Sequence, residues 1–83
     1  MLAFKHYDRR WEKFLGFEVT VFFKDIVEGG FAVGILYFDW DRGFYGLELS
    51  DSLLLFRKSH VNRIILGDHT ETILKNQLGY RRI

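Results

Sequence analysis

The 83-residue chain contains neither cysteine nor proline. Without cysteine it has no disulfide, no thiolate metal site and no cysteine nucleophile. Small secreted domains usually depend on disulfides, so we expect an intracellular, cytoplasmic protein. No stretch has the composition of a linker and no segment repeats, so we expect a single domain over residues 1–83.

Long apolar runs are also missing. None approaches the roughly 18 residues that span a bilayer, so we expect no membrane partner. Near the start of the chain, Lys5, Asp8, Arg9 and Arg10 interrupt any apolar segment. That pattern argues against a signal peptide.

Aromatic side chains are abundant, with nine Phe, four Tyr and two Trp. At 48% hydrophobic, the chain is too apolar to be disordered. Each aromatic side chain buries a large area, which partly offsets the unfavourable surface-to-volume ratio of a small domain. Some of them are expected to remain for a partner surface.

The net charge of +1 hides an uneven distribution. Residues 1–17 carry +2, residues 18–51 carry −5 and residues 52–83 carry +4. Such segregation is compatible with an ordinary mixed surface. It also predicts one acidic and one basic face, which would suit head-to-tail self-association or an anionic partner.

The first segment, residues 1–16, is predicted to contain an amphipathic helix over 3–15 that ends at Gly16. Five apolar side chains share one face of this helix: Phe4, Tyr7, Trp11, Phe14 and Leu15. Such a stripe usually packs against a core, and we expect it to cover an open end of a barrel.

From Phe17 the hydrophobic period changes to two, which is typical of strands. Five strands are predicted between residues 17 and 67, over 17–24, 31–40, 45–49, 53–56 and 62–66. Gly34, in the middle of the second strand, indicates a sharp bend or a close backbone approach. The last segment is 68–83. Within it, 70–80 suits either a short helix or a final strand that starts at 70–73.

This order of segments resembles the Sm-like (LSm) family of small β-barrels. Gly34, with Asp41 or Asp39 and the ending at 47–51, is similar to the family's first motif, and 65–68 with Ile73 to its second. The resemblance covers residues 4–73. It implies a mainly β fold: a strongly bent, five-stranded antiparallel barrel with an N-terminal helix. It also implies a homo-oligomer that is joined edge strand to edge strand and can close into a ring, with single-stranded RNA as its ligand.

Two departures from the family pattern bear on RNA binding. Tyr45 can supply a stacking surface, but Gly46 stands where the family has Asn and Leu66 where it has Arg. Without that amide and guanidinium, the family's nucleotide pocket loses most of its hydrogen-bonding readout.

An SH3-like barrel is the alternative. Residues 53–56 and 63–66 would then be its last two strands, with a tight turn at 58–61 and a helix packed outside. This alternative implies a protein-interaction adaptor or inhibitor domain.

Two groups of residues are the candidate binding sites. For nucleic acid, cations that clamp phosphates beside an aromatic ring are typical of single-strand binding, and a solvated basic turn is the alternative. The candidates are Tyr45, Arg57, Lys58, His60 and Arg63, with Arg81 and Arg82 nearby. For a protein partner, the candidate anchors are Trp40, Phe44 and Tyr45.

We expect no enzyme, metal or cofactor. Asp39 and Asp41 form a carboxylate pair without further ligands at calcium-loop spacing. The three histidines are far apart in the sequence. Ser59 and His60 are adjacent but lack the context of a nucleophile elbow.

Overall fold

The computed structural model describes residues 6–24, 30–76 and 81–82. Arg9–Phe14 and Lys58–His60 each form a 3-10 helix. The regular elements are β1 (Glu18–Phe23), β2 (Gly30–Asp39), β3 (Phe44–Glu48), β4 (Leu53–Phe56), β5 (Val61–Leu66), α1 (Thr70–Lys75) and β6 (Arg81–Arg82). The five predicted strands are confirmed, each within a few residues.

The five long strands form one antiparallel sheet in the order β4-β3-β2-β1-β5. β6 adds a short parallel pairing to the start of β2. In the described part of the chain no ladder joins β4 to β5, so the sheet is open and the predicted barrel closure is wrong. The end of β4 nevertheless lies near the start of β5. Residues 57–60 connect these two strand ends, partly through a 3-10 helix that rises only ~2 Å per residue. In a flat sheet the two edge strands would be ~19 Å apart, which is more than this connection spans, so the sheet is curved.

Gly34 explains part of this curvature. A Cβ atom at this position would lie 2.5 Å from the backbone oxygen of Glu48. Only glycine allows β2 and the end of β3 to approach so closely. The predicted role of Gly34 as a site of close backbone approach is confirmed.

Both faces of β1 are covered. Alternate residues of β1 (Val19, Val21 and Phe23) belong to the main core cluster. Phe22 points to the opposite face. A second, smaller cluster forms there with Ile73 of α1. Because α1 covers this face, β1 is buried on both sides after its first residue.

The predicted helix over 3–15 is wrong within the described residues. His6 and Arg9–Phe14 are in 3-10 conformation, whereas Tyr7 and Asp8 between them are not helical. Asp8 is extended, with φ −112° and ψ 113°. It is held there by backbone contacts with the sheet that override the helical pattern. The predicted packing is confirmed for Tyr7, Trp11, Phe14 and Leu15, which lie against the main cluster. Phe4 falls outside the described residues.

Of the two forms predicted for the C-terminal segment, the short helix is present as α1, and the strand starting at 70–73 is wrong. The two-residue strand β6 was not predicted. α1 begins at Thr70 and contains Ile73, so the residue aligned with the end of the second Sm-like motif lies in a helix. Both the Sm-like and the SH3-like alignments contain strands at the positions of β4 and β5, so the relation to either family stays a prediction. The glycine pair in the sequence also predicts a tight turn over 25–30; of this turn, residues 25–29 lie outside the described residues, and Gly30 begins β2. Residues 77–80, at the end of the predicted C-terminal helix, lie outside the described residues as well.

Among the described residues, no helix has the length and hydropathy needed to span a bilayer.

Candidate functional site

The basic residues predicted to bind nucleic acid line two different depressions. The connection between β4 and β5, residues 57–60, contributes side chains to both. Lys58 and Arg63 line a groove beside the N-terminal 3-10 helix. Arg57 and His60 line a smaller pocket beside Phe44. The predicted cluster is therefore not one site.

We call the first of these the basic groove. It has a volume of about 500 Å³ and lies between the N-terminal 3-10 helix, the end of β1 and the start of β5. Its walls carry five basic side chains, from Arg10, Lys13, Lys24, Lys58 and Arg63. Three of these, Arg10, Lys13 and Lys24, were not predicted as site residues.

Asp8 is the one acidic residue that lines this groove in the described part of the chain. It is only 7% exposed. Its Oδ1 accepts hydrogen bonds from the backbone N–H and the Nε of Arg10, at 2.9 and 3.1 Å. Its Oδ2 accepts from Arg10 Nη2 at 3.0 Å and from Lys58 Nζ at 2.9 Å. These bonds, first that from the Arg10 side chain and then that from Lys58, hold the pKa of the Asp8 carboxyl well below its usual value, although burial opposes them.

The other three cations of the groove have no carboxylate partner among the described residues. Lys24 and Arg63 are exposed. Lys13 lies over the ring of Phe14, with its Nζ 5.2 Å from the ring centroid. These three charges are available to an anionic ligand.

Two partly exposed aromatic side chains, Trp11 and Phe14, also line the groove. Trp11 is backed by the ring of Tyr45, at a centroid distance of 4.6 Å. Aromatic rings beside cations can stack unpaired bases while the cations bind phosphates.

Tyr45 lies in the core and is 1% exposed. Its ring packs against Phe38 and Trp11, with centroids 4.8 and 4.6 Å away. Its hydroxyl accepts a hydrogen bond from the backbone N–H of Asp8 and donates one to the Asp8 carbonyl. Burial raises the pKa of this hydroxyl. The expectation that the Tyr45 ring is exposed for stacking or docking is therefore wrong.

The other two aromatic candidates are at the surface. Trp40 is 49% exposed and rests against Tyr7 and Phe38. Phe44 is half-buried, with the Arg57 guanidinium 5.6 Å from its ring centroid. A pocket of about 350 Å³ lies beside Phe44, lined also by Leu55, Phe56, Arg57 and His60.

A third depression, of about 590 Å³, is lined by acidic side chains at the other end of β1. Glu18, Glu48 and Asp68 contribute carboxylates there, with Arg82 as the one basic residue among the described residues that line it. Acidic and basic side chains thus line separate grooves, but the grooves do not follow the sequence segments, since Lys24 comes from the acidic segment and Asp68 from a basic one.

Both edge strands expose apolar side chains. Leu53 and Leu55 on β4 and Leu66 on β5 are exposed to solvent. Among the described residues, β4 pairs only with β3, and β5 only with β1. Within that part of the chain, each edge presents unpaired backbone groups together with exposed leucine.

No catalytic arrangement is evident among the described residues. Ser59 lines the basic groove, whereas its neighbour His60 lines the pocket beside Phe44. The Asp39 carboxylate accepts hydrogen bonds from the backbone N–H groups of Asp41 and Arg42, so it stabilises the β2–β3 turn. No group of three potential metal ligands occurs in the ranges that the structure describes.

Comparison of the chain with protein-family models, curated proteins and solved structures finds no match. The function is therefore inferred from the residues and geometry of this chain.

Proposed function

We propose that this protein is a non-enzymatic binding module that binds single-stranded RNA in the basic groove and acts as a homo-oligomer. The observation that carries the proposal is the convergence of five basic side chains on a groove with a single carboxylate. Three of those cations have no carboxylate partner within the described ranges. Such a surface attracts a polyanion.

The aromatic rings favour a single strand over a duplex. Trp11 and Phe14 line the same groove as the cations. In a duplex the bases are stacked on one another, whereas unpaired bases are free to stack on protein side chains. RNA, rather than DNA, is favoured by the resemblance to the Sm-like family.

Self-association is supported by the two edges of the open sheet. A neighbouring strand would satisfy the free backbone groups of β4 or β5 and would bury Leu53, Leu55 or Leu66. Because the two edges differ, pairing β4 of one subunit with β5 of the next is a head-to-tail contact. Such contacts close into a ring when the rotation between subunits allows it.

RNA binding can be tested by fluorescence anisotropy with a labelled 12-nucleotide oligouridylate, on protein stripped of nucleic acid at high salt. For a single strand, each neutralised phosphate contributes about 0.7 to the slope of log K against log salt concentration. The three unpaired cations predict a slope of about −2 for the native protein. Lys24→Glu and Arg63→Glu should each weaken binding on the order of tenfold and reduce that slope.

Lys75→Glu on α1 is the matched control, because Lys75 is exposed and does not line the basic groove. Equal loss of binding in this variant would show a non-specific charge effect and would contradict the proposed site. Absence of binding by the native protein would contradict the function itself.

The native mass, measured by light scattering, tests self-association. We expect a multiple of the 9.9 kDa chain. Leu53→Lys or Leu66→Lys should convert it to monomer, because a charge at either edge opposes pairing. Leu74→Lys, at an exposed leucine of α1, should leave the mass unchanged. A monomeric native protein would exclude the oligomer.

A protein-interaction adaptor is the second candidate. It is favoured by the half-exposed Trp40 and by the mainly apolar pocket that Phe44 and Leu55 form next to the free edge of β4. Under this alternative, Trp40→Ala should abolish capture of the partner protein, and salt should have little effect. The groove variants Lys24→Glu and Arg63→Glu should then bind normally.

A further inference from the structure

Asp8 lies in the basic groove and accepts hydrogen bonds from two of the five basic side chains there, those of Arg10 and Lys58. We propose that the Asp8 carboxylate occupies the place of a ligand phosphate and withholds Arg10 and Lys58 from the bound strand. This inference rests on the proposed binding of a polyanion in this groove. Asp8 thus competes with the ligand phosphates for these two side chains and lowers the affinity of the groove for the strand.

The hydrogen-bond geometry resembles that of a bound phosphate. The Nε and Nη2 atoms of Arg10 each donate to a different oxygen of Asp8, at 3.1 and 3.0 Å. This two-pronged arrangement is the one in which a guanidinium binds carboxylate or phosphate. Lys58 Nζ adds a third charged donor at 2.9 Å.

Both cations remain accessible from solvent. The side chain of Arg10 is 83% exposed and that of Lys58 is 39% exposed, whereas that of Asp8 is only 7% exposed. A phosphate arriving from solvent can therefore reach both donors. It cannot use them fully while Asp8 accepts their hydrogen bonds.

The carboxylate is not the main anchor of the N-terminal segment. The backbone N–H of Asp8 donates to the Tyr45 hydroxyl at 2.7 Å, and the Asp8 carbonyl accepts from the backbone N–H of Trp11 at 2.9 Å. The rings of Tyr7 and Trp11 pack on the main core. Asparagine at position 8 keeps these backbone contacts and still provides an oxygen that caps the Arg10 N–H.

The proposal predicts a gain of binding on removal of the Asp8 charge. Native protein offers three unpaired cations, whereas Asp8→Asn offers five. The slope of log K against log salt for the 12-nucleotide oligouridylate should therefore steepen from about −2 to about −3.5. Affinity at low salt should rise on the order of tenfold or more.

Asp51→Asn is the matched control, since it changes the net charge equally at an exposed position that does not line the groove. Tighter binding with a steeper salt dependence in Asp8→Asn, but not in Asp51→Asn, supports the proposal. An equal gain of affinity in both variants would show that only the net charge matters and would overturn the proposal. Weaker binding by a folded Asp8→Asn protein would also overturn it, because Asp8 would then organise the groove for its ligand.

A second measurement does not depend on how well Asp8→Asn folds. In the native background, Lys58→Gln should leave the salt slope nearly unchanged, whereas Arg63→Gln should reduce it by about 0.7. Equal reductions would show that Lys58 already engages the ligand and would overturn the proposal while leaving RNA binding intact. If the native protein and all variants fail to bind the oligouridylate, both the proposed function and this inference are wrong.

Discussion

The hydroxyl of Tyr45 accepts a hydrogen bond of 2.7 Å from the backbone N–H of Asp8, a residue 37 positions earlier in the chain. This contact joins the middle of the sheet to the segment that forms one wall of the basic groove. The core and the candidate site therefore share one buried tyrosine.

Tyr45→Phe should destabilise the protein by about 1–3 kcal/mol, because it leaves the buried Asp8 N–H without its acceptor. Urea unfolding would measure the loss. Tyr37→Phe is the matched control, since Tyr37 is only partly buried and its hydroxyl has no hydrogen-bond partner among the described residues. Equal stability of the two variants would contradict the importance of the Tyr45–Asp8 contact.

Gly34→Ala should lower the free energy of unfolding by about 1–3 kcal/mol. The new methyl group would lie 2.5 Å from the backbone oxygen of Glu48, so a strand must move. Gly46→Ala is the informative comparison. There the methyl group meets the ring of Tyr37, a side chain that can rotate away. In a Tyr37→Ala background, Gly46→Ala should become nearly neutral while Gly34→Ala stays destabilising, as thermal unfolding would show. Rescue of Gly34→Ala by the same change would contradict the backbone clash.

Thr20→Val should loosen the attachment of α1. The buried Thr20 hydroxyl donates to the Gly67 carbonyl at 2.8 Å and accepts from the His69 N–H at 3.0 Å. Valine has the same shape but makes neither bond, so we expect a loss of about 1–3 kcal/mol and faster amide exchange in α1. Thr72→Val, at an exposed position on α1, should change neither quantity.

Stability should fall in acid. The pKa values of Asp8, Asp39 and Asp68 are all lowered in the folded protein, mainly by hydrogen bonds from Arg10, Arg42 and Thr70 respectively. A lowered folded-state pKa stabilises the protein above the unfolded value, near 3.9, and this contribution is lost as pH falls through the folded-state pKa. The thermal midpoint should hold above about pH 5 and drop below pH 4. In Asp8→Asn the thermal midpoint should fall less between neutral pH and acid than in the native protein. An unchanged dependence of the midpoint on pH would contradict the role of Asp8.

The strand boundaries were predictable because their signals are local. Alternation of apolar and polar residues marks β1, and polar turns delimit β4, which spans Leu53–Phe56 as predicted. The burial of Tyr45 was also predictable. It lies two residues from the buried Leu47 on β3, and residues two apart on a strand share a face.

The basic groove was not predictable from local patterns. Lys58 meets Asp8 across 50 residues of sequence. Arg63 reaches the groove because β5 pairs with β1, in a register that sets it opposite Phe22. A pairing between the first and last long strands leaves no short-range signal. The N-terminal helix was mispredicted for the same reason, since a distant tyrosine holds Asp8 in an extended conformation.

The order in which the sheet is connected has a consequence for folding kinetics. β1 to β4 pair as successive neighbours along the chain, so each of these ladders closes a short loop. β5 must instead return to β1, and the hydrogen bond from Thr20 to Gly67 spans 47 residues. Closing a long loop costs more chain entropy and slows folding, so we expect β5 to dock last. Until it does, the paired meander exposes β1 as a free edge, and β5 of another chain can occupy it in a domain-swapped dimer.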